Sequence, residues 1–441
     1  MNTLLVFMVG IVSLFAGKYL FRFWFNPISI YAVIWGTELI LYELRLIRYY
    51  DLSIYTWIII LSAFVCFLVG LLTIYLGRKL NPSSVVATVC SLNESSFAFD
   101  KNRFLHVLIY GFALIGIVGA IQHWSVLFNM FGSLPNIFLN APTIYMMRVQ
   151  GRIHGVVPYL CTFLYVSVFL SGVYTGKSGK WHPGTILAFG GVILEELANV
   201  ARAGMLFVFL EFFTVVLLCR IGQSKGSKVR AANKKLVLAV STLFILLACF
   251  ATMIKSARTV MERFKSASRS LSKLDENLVV SPTIYLYFSS PVGVLNKYFE
   301  KEEENTMWGE NTFLPIYNFV SKTGVIKHPP FYQKGYFVPM WTNTGTYLRE
   351  VHADFGYVGV FLVPYLLGLG IAFFWYRYFH FRQMYDLVFL VYFLLILYFS
   401  FSVMITRLGI WWISMVILLC VIHIIERKKV TKGISVDRSC P

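Results

Sequence analysis

Residues 342–362 read TNTGTYLREVHADFGYVGVFL, a polar run holding Arg349, Glu350, His352 and Asp354 that turns directly into an apolar one. The apolar part continues to about residue 376, long enough to cross a bilayer as a helix. An arginine, a histidine and two carboxylates therefore stand at the mouth of a membrane span. If the helix begins near Thr346, Arg349 and His352 share one of its faces, three residues apart. A histidine titrates near neutral pH, so His352 is a candidate to take a proton from a hydroxyl, with Glu350 second. Asp354 and Glu350 also read more simply, as acids near the start of a helix that stabilise its dipole. The Asp-Phe-Gly here is no kinase signal, because no glycine-rich loop or His-Arg-Asp partner accompanies it.

The rest of the chain repeats the apolar pattern. Of 441 residues, 58% are hydrophobic and only 14% are charged, which no soluble domain of this size would show. Stretches of about 17–25 apolar residues predict helices rather than barrel strands. The expected fold is an all-α polytopic membrane protein with about eleven spans. They run near 3–22, 27–46, 54–77, 104–124, 155–176, 184–200, 204–219, 235–254, 354–376, 384–403 and 408–425. The first stretch lacks a basic leader and a small-residue cleavage site, so it reads as a retained helix. The net charge of +18 comes without a basic soluble domain, which argues against nucleic acid as a partner. The seven cysteines are scattered, and no Cys/His cluster suggests a metal site.

Short basic loops set the expected orientation. Residues 219–236, 376–383 and 426–433 are rich in Lys and Arg and fall on one face, which should be cytoplasmic together with the C-terminus. The long segment 255–353 then lies outside the cytoplasm, within a single membrane domain spanning 1–441. Its start at 255–273 is itself basic, but long loops cross largely regardless of charge. Its aromatic stretches at 281–299 and 311–320 suit interfacial anchoring or a cap over a cavity, with Tyr285 able to stack on a sugar.

This orientation leaves Arg148, Arg202, Arg258, Arg349 and Arg407 at span ends on the far side. A lone arginine there commonly snorkels or pairs with an acid. Several together suit an anionic group such as a lipid-linked diphosphate. Glu195, Asn199 and Arg202 fall at i, i+4 and i+7, which predicts one helical face. Glu195 would then neutralise Arg202 or orient it toward a phosphate, with Glu196 pointing elsewhere as a packing acid.

Three motifs carry a family resemblance. Residues 342–359 (TNTGTYLREVHADFGYVG), 199–210 (NVARAGMLFVFL) and 284–299 (IYLYFSSPVGVLNKYF) are similar to segments of bacterial O-antigen and capsule repeat-unit polymerases of the Wzy type. Many relatives carry a proline after the arginine, where this chain has Glu350. The resemblance implies a GT-C-like glycosyltransferase in the bacterial cytoplasmic membrane that needs no metal and no cofactor. Its donor and acceptor would be undecaprenyl-diphosphate-linked oligosaccharides, joined at the outer face, with membrane lipid and a chain-length regulator protein as partners. Arg202 and Arg349 would hold the diphosphate, Arg148 and Arg258 assist, and His352 or Glu350 activate the acceptor. A flippase or exporter of lipid-linked glycans, or a ligase differing only in acceptor, would use the same cationic chemistry.

Overall fold

The structure is a computed structural model that describes residues 2–47, 49–80, 103–150, 152–221, 282–301, 304, 306–330, 333–339 and 341–436. Arg258 and the span expected at 235–254 lie outside the described residues. The regular secondary structure of the described residues is helical apart from one two-residue antiparallel ladder. In order it forms α1 (Asn2–Phe21), α2 (Pro27–Glu43), α3 (Ile54–Leu80), α4 (Arg103–Phe131), α5 (Leu134–Leu139), α6 (Ala141–Val149), α7 (Thr162–Ser178), α8 (Pro183–Ala198) and α9 (Ala203–Arg220). Then follow α10 (Pro282–Lys301), α11 (Leu314–Ser321), β1 (Tyr336–Phe337), β2 (Trp341–Thr342), α12 (Tyr347–Phe381), α13 (Met384–Phe399) and α14 (Gly409–Val436). Among the described residues, six of these helices are long and apolar enough to cross a membrane: α1, α3, α4, α9, α12 and α14. The protein is an all-α, multi-pass membrane protein. Four further expected spans coincide with the shorter helices α2, α7, α8 and α13, which are 17, 17, 16 and 16 residues long.

Local chemistry accounts for several ends. Asn26 caps α2, its side chain accepting from Ser29 N at 2.9 Å, with Pro27 in the first turn where its missing N–H costs nothing. Gly179 ends α7 in the left-handed conformation that suits a residue without Cβ. Beyond the expected span 104–124, the chain continues α4 to Phe131 and then forms α5 and α6. The helix expected to begin near Thr346 begins at Tyr347, so the polar residues of 347–355 are helical and lead into the span expected from 354. Gly356, at φ +61° and ψ −154°, then breaks the helix in a conformation only glycine adopts readily, and Phe355-Gly356 divides the polar turns from the apolar ones.

The chain forms two compact units. The first comprises Met1–Leu92, Arg263–Tyr376 and Phe393–Gly409. In it, α10 packs on α2 and carries a buried face of Leu286, Val292, Val294, Leu295 and Tyr298. The Tyr285 hydroxyl donates to Leu41 O at 2.8 Å, so this expected sugar-stacking residue is tied to the α2 end. Helices α3 and α12 touch backbone to backbone. A Cβ on Gly70 would lie 2.1 Å from Tyr365 O, and one on Gly368 2.2 Å from Phe67 O. Small residues at such a crossing let helices approach where lipid offers no hydrophobic drive. The second unit comprises Asn93–Glu262, Arg377–Tyr392 and Ile410–Pro441, and its described part centres on α4, α7, α8 and α9 packed on one another.

The crossing yields a direct test. Gly368→Ala should lower the thermal stability of the detergent-solubilised protein by an amount in the range of about 1–3 kcal/mol. Gly36→Ala, where a Cβ meets nothing within 4 Å, should leave it unchanged or slightly raised.

Candidate functional site

Each polar side chain in the first two turns of α12 is met by partners from outside the helix. Arg349 is 0% exposed. Its Nε donates to Glu304 Oε2 at 3.3 Å and its Nη2 to Glu304 Oε1 and Lys334 O, while Nη1 donates to Asn343 O at 3.3 Å. The guanidinium also lies 5.0 Å from the Tyr336 ring and 5.8 Å from the Tyr298 ring. A charge this deep is tolerated because a carboxylate and two carbonyl oxygens beyond it replace water. Glu350, 1% exposed, accepts from Arg407 Nη1 and from Met404 N. His352 bonds through Nδ1 to the Tyr298 hydroxyl at 2.7 Å and is ringed by Phe299 and Tyr357. Arg349 and His352, expected on one helical face, thus both meet Tyr298.

Asp354 is a correction. It is 4% exposed and does not act as a free helix-start charge. Its Oδ1 accepts from Asn311 N and Nδ2, both at 2.9 Å, and its Oδ2 from Thr312 N and Oγ1, both at 2.7 Å. Four donors on one carboxylate pin residues 311–312 to α12, and Thr306 Oγ1 adds a bond to Ala353 O at 2.7 Å. The carboxylate is eight residues into the helix and spent on residues 311–312, so it serves a distant loop and not its own dipole.

In the second unit, α8 ends at Ala198 with Asn199 as its cap, Val200 takes a left-handed φ of +50°, and Arg202 opens α9. The expected helical face through Glu195, Asn199 and Arg202 is therefore broken before Arg202. Glu195 bonds His123 and Asn199 instead of Arg202. Its Oε1 lies 3.1 Å from His123 Nδ1 and accepts from Asn199 Nδ2 at 2.6 Å. The Asn199 carbonyl accepts from Arg148 Nη1 at 3.1 Å. Three of the residues singled out in the sequence, Arg148, Glu195 and Asn199, thus meet in one hydrogen-bonded chain ending on His123. Glu196 points elsewhere and accepts from Gly204 N at 2.9 Å.

Sequence reasoning missed the partners: His123, Glu304, Tyr298, Tyr336, Asn311 and Thr312. A histidine inside an apolar span was the one available signal for His123. It also missed a second imidazole contact in the same unit. His182 caps α8 by accepting from Gly184 N at 3.0 Å through Nδ1, so its proton sits on Nε2, which faces His106 Nδ1 at 2.7 Å. Among the described residues no group of three or more His, Cys, Asp or Glu could hold a metal ion. No protein-family model, curated protein or solved structure matches the chain.

Two outcomes follow from these bonds. Burial and the facing His106 imidazole lower the His182 pKa from 6.5 to about 4. The unfolded chain therefore binds the extra proton first. Stability should be level above about pH 6.5 and fall as the pH drops toward 4, when read by thermal unfolding. His182→Asn, which keeps a capping oxygen, should flatten that fall. Asp354→Ala leaves buried donors unmatched and should cost about 3 kcal/mol, with faster proteolysis around residues 306–313.

Proposed function

We propose that the chain is a repeat-unit polymerase, a glycosyltransferase of GT-C-like architecture with about eleven spans. It would transfer a growing glycan from undecaprenyl diphosphate onto an incoming lipid-linked repeat unit at the outer face of the bacterial cytoplasmic membrane. In this reading the segment 255–353 is outside and the C-terminus inside.

The observation that carries the reading is the Arg148–Asn199–Glu195–His123 chain, with Arg202 opening the next helix. An apolar helical unit has little reason to hold so many ionisable groups unless they act. The chemistry they offer is what glycan transfer from a lipid diphosphate needs. Charge builds on the leaving diphosphate as the glycosidic bond breaks, and fixed guanidinium groups in a water-poor site stabilise it. Arg148 and Arg202 are assigned that role. Arg349 and Arg407, each held by a carboxylate, are assigned to ordering the entrance of α12. A direct role for Arg349 on the diphosphate would require Glu304 to give way.

A flippase or exporter would also need a cationic cavity, but it would make no new glycosidic bond. The purified protein, given lipid-linked repeat units extracted from the producing cell, should yield a ladder of products. Arg148→Ala and Arg202→Ala should each reduce ladder formation by about a hundredfold or more while the protein stays folded in the membrane. Wild-type ladders from both variants would refute the assignment, and the absence of a ladder from the unaltered protein would favour transport.

A further inference from the structure

We infer that His123 is the general base that takes the proton from the acceptor hydroxyl, and that Glu195 is its positioning residue; this rests on the polymerase reading. The sequence pointed to His352 and Glu350, and the geometry points away from both. Both oxygens of Glu350 are occupied, one by Arg407 and the other by Met404 N. His352 has its Nδ1 on the Tyr298 hydroxyl, and its Nε2 is buried. That hydroxyl is a neutral partner, which gives an imidazolium less support than a carboxylate does. His106 and His182 face each other at a helix cap.

His123 differs in kind. It lies on α4, 4% exposed, and its Nδ1 faces a carboxylate. An imidazole that donates Nδ1–H to a carboxylate has its lone pair on Nε2, and the carboxylate stabilises the imidazolium that forms when Nε2 takes a proton. The carboxylate is itself fixed. Asn199 Nδ2 donates to the same Oε1, and the Asn199 carbonyl is held by Arg148. The Cys161 thiol, just ahead of α7, is a further titratable group against Glu195. The ring is thus set in one tautomer and one orientation, and the same hydrogen-bonded chain ends on a guanidinium suited to a phosphate.

The step balances without a further reagent. The acceptor hydroxyl oxygen bonds to the anomeric carbon of the donor glycan as that carbon's bond to the diphosphate oxygen breaks. The bonding pair leaves with undecaprenyl diphosphate. The hydroxyl proton moves to His123 Nε2 and then returns to solvent or to the departing diphosphate. Glu195 stays ionised throughout.

The test uses the full-length protein in lipid nanodiscs with two readouts. One is polymerisation of extracted lipid-linked repeat units across a pH range, and the other is binding of undecaprenyl diphosphate alone. His123→Gln should slow polymerisation by about 10²–10⁴-fold, remove the acidic limb of the pH–rate profile and leave undecaprenyl diphosphate binding within about twofold. Glu195→Gln should slow it less and shift that limb, because the imidazolium loses its counter-charge. A His123→Gln rate near wild type overturns the assignment, and so does a slow variant that has also lost binding, since that marks a structural role. An inactive wild-type protein that still binds undecaprenyl diphosphate overturns the polymerase reading itself, and the base with it.

Discussion

A charge moved from water into an apolar interior costs several kcal/mol unless other groups replace the water it has lost. That constraint organises the entrance of α12. Within eight residues, Tyr347 to Asp354, the helix buries an arginine and two carboxylates, and each is met by a different part of the first unit. Arg349 draws in residue 304 and the carbonyls of 334 and 343. Glu350 draws in Met404 and Arg407. Asp354 draws in residues 311 and 312. A helix presents its side chains all round its axis, so three successive polar partners gather three separate segments. Gly356 completes the arrangement, because its backbone lets the polar turns end and the apolar span begin at a different angle.

In the second unit Arg377 and Asp386 pair directly at 2.9 Å, but the Glu195 cluster meets the same problem without a guanidinium on the carboxylate. Its carboxylate is shared between an imidazole and an amide, and the guanidinium reaches it only through the Asn199 backbone. The difference bears on function. A carboxylate locked by a guanidinium is held in place, whereas a carboxylate beside an imidazole can stabilise a proton that comes and goes. The arginine–carboxylate pairs of the first unit therefore read as architecture, and the imidazole–carboxylate pair of the second as chemistry.

Much of the fold was legible without coordinates. Apolar runs of span length located most of the helices. Of the residues singled out, Arg349, Glu350 and Arg407 are buried in ion pairs, and Arg148, Glu195 and Asn199 sit half-buried in one polar cluster. Two readings failed for physical reasons. The face through Glu195 and Arg202 assumed an unbroken helix, and a left-handed Val200 breaks it. Asp354 was given a local role because sequence shows only its own helix, while its four donors come from a loop more than 40 residues earlier.

The sequence by itself determined that the chain is apolar and helical, where most of its helices lie, and which polar residues would be costly to bury. Those properties depend on composition and on periodicities of a few residues. Only the tertiary structure decided the pairings. Glu304 stands 45 residues from Arg349, and His123 stands 72 from Glu195. A buried charge takes whichever partner the packing brings within about 3 Å, and that choice leaves no trace in local spacing.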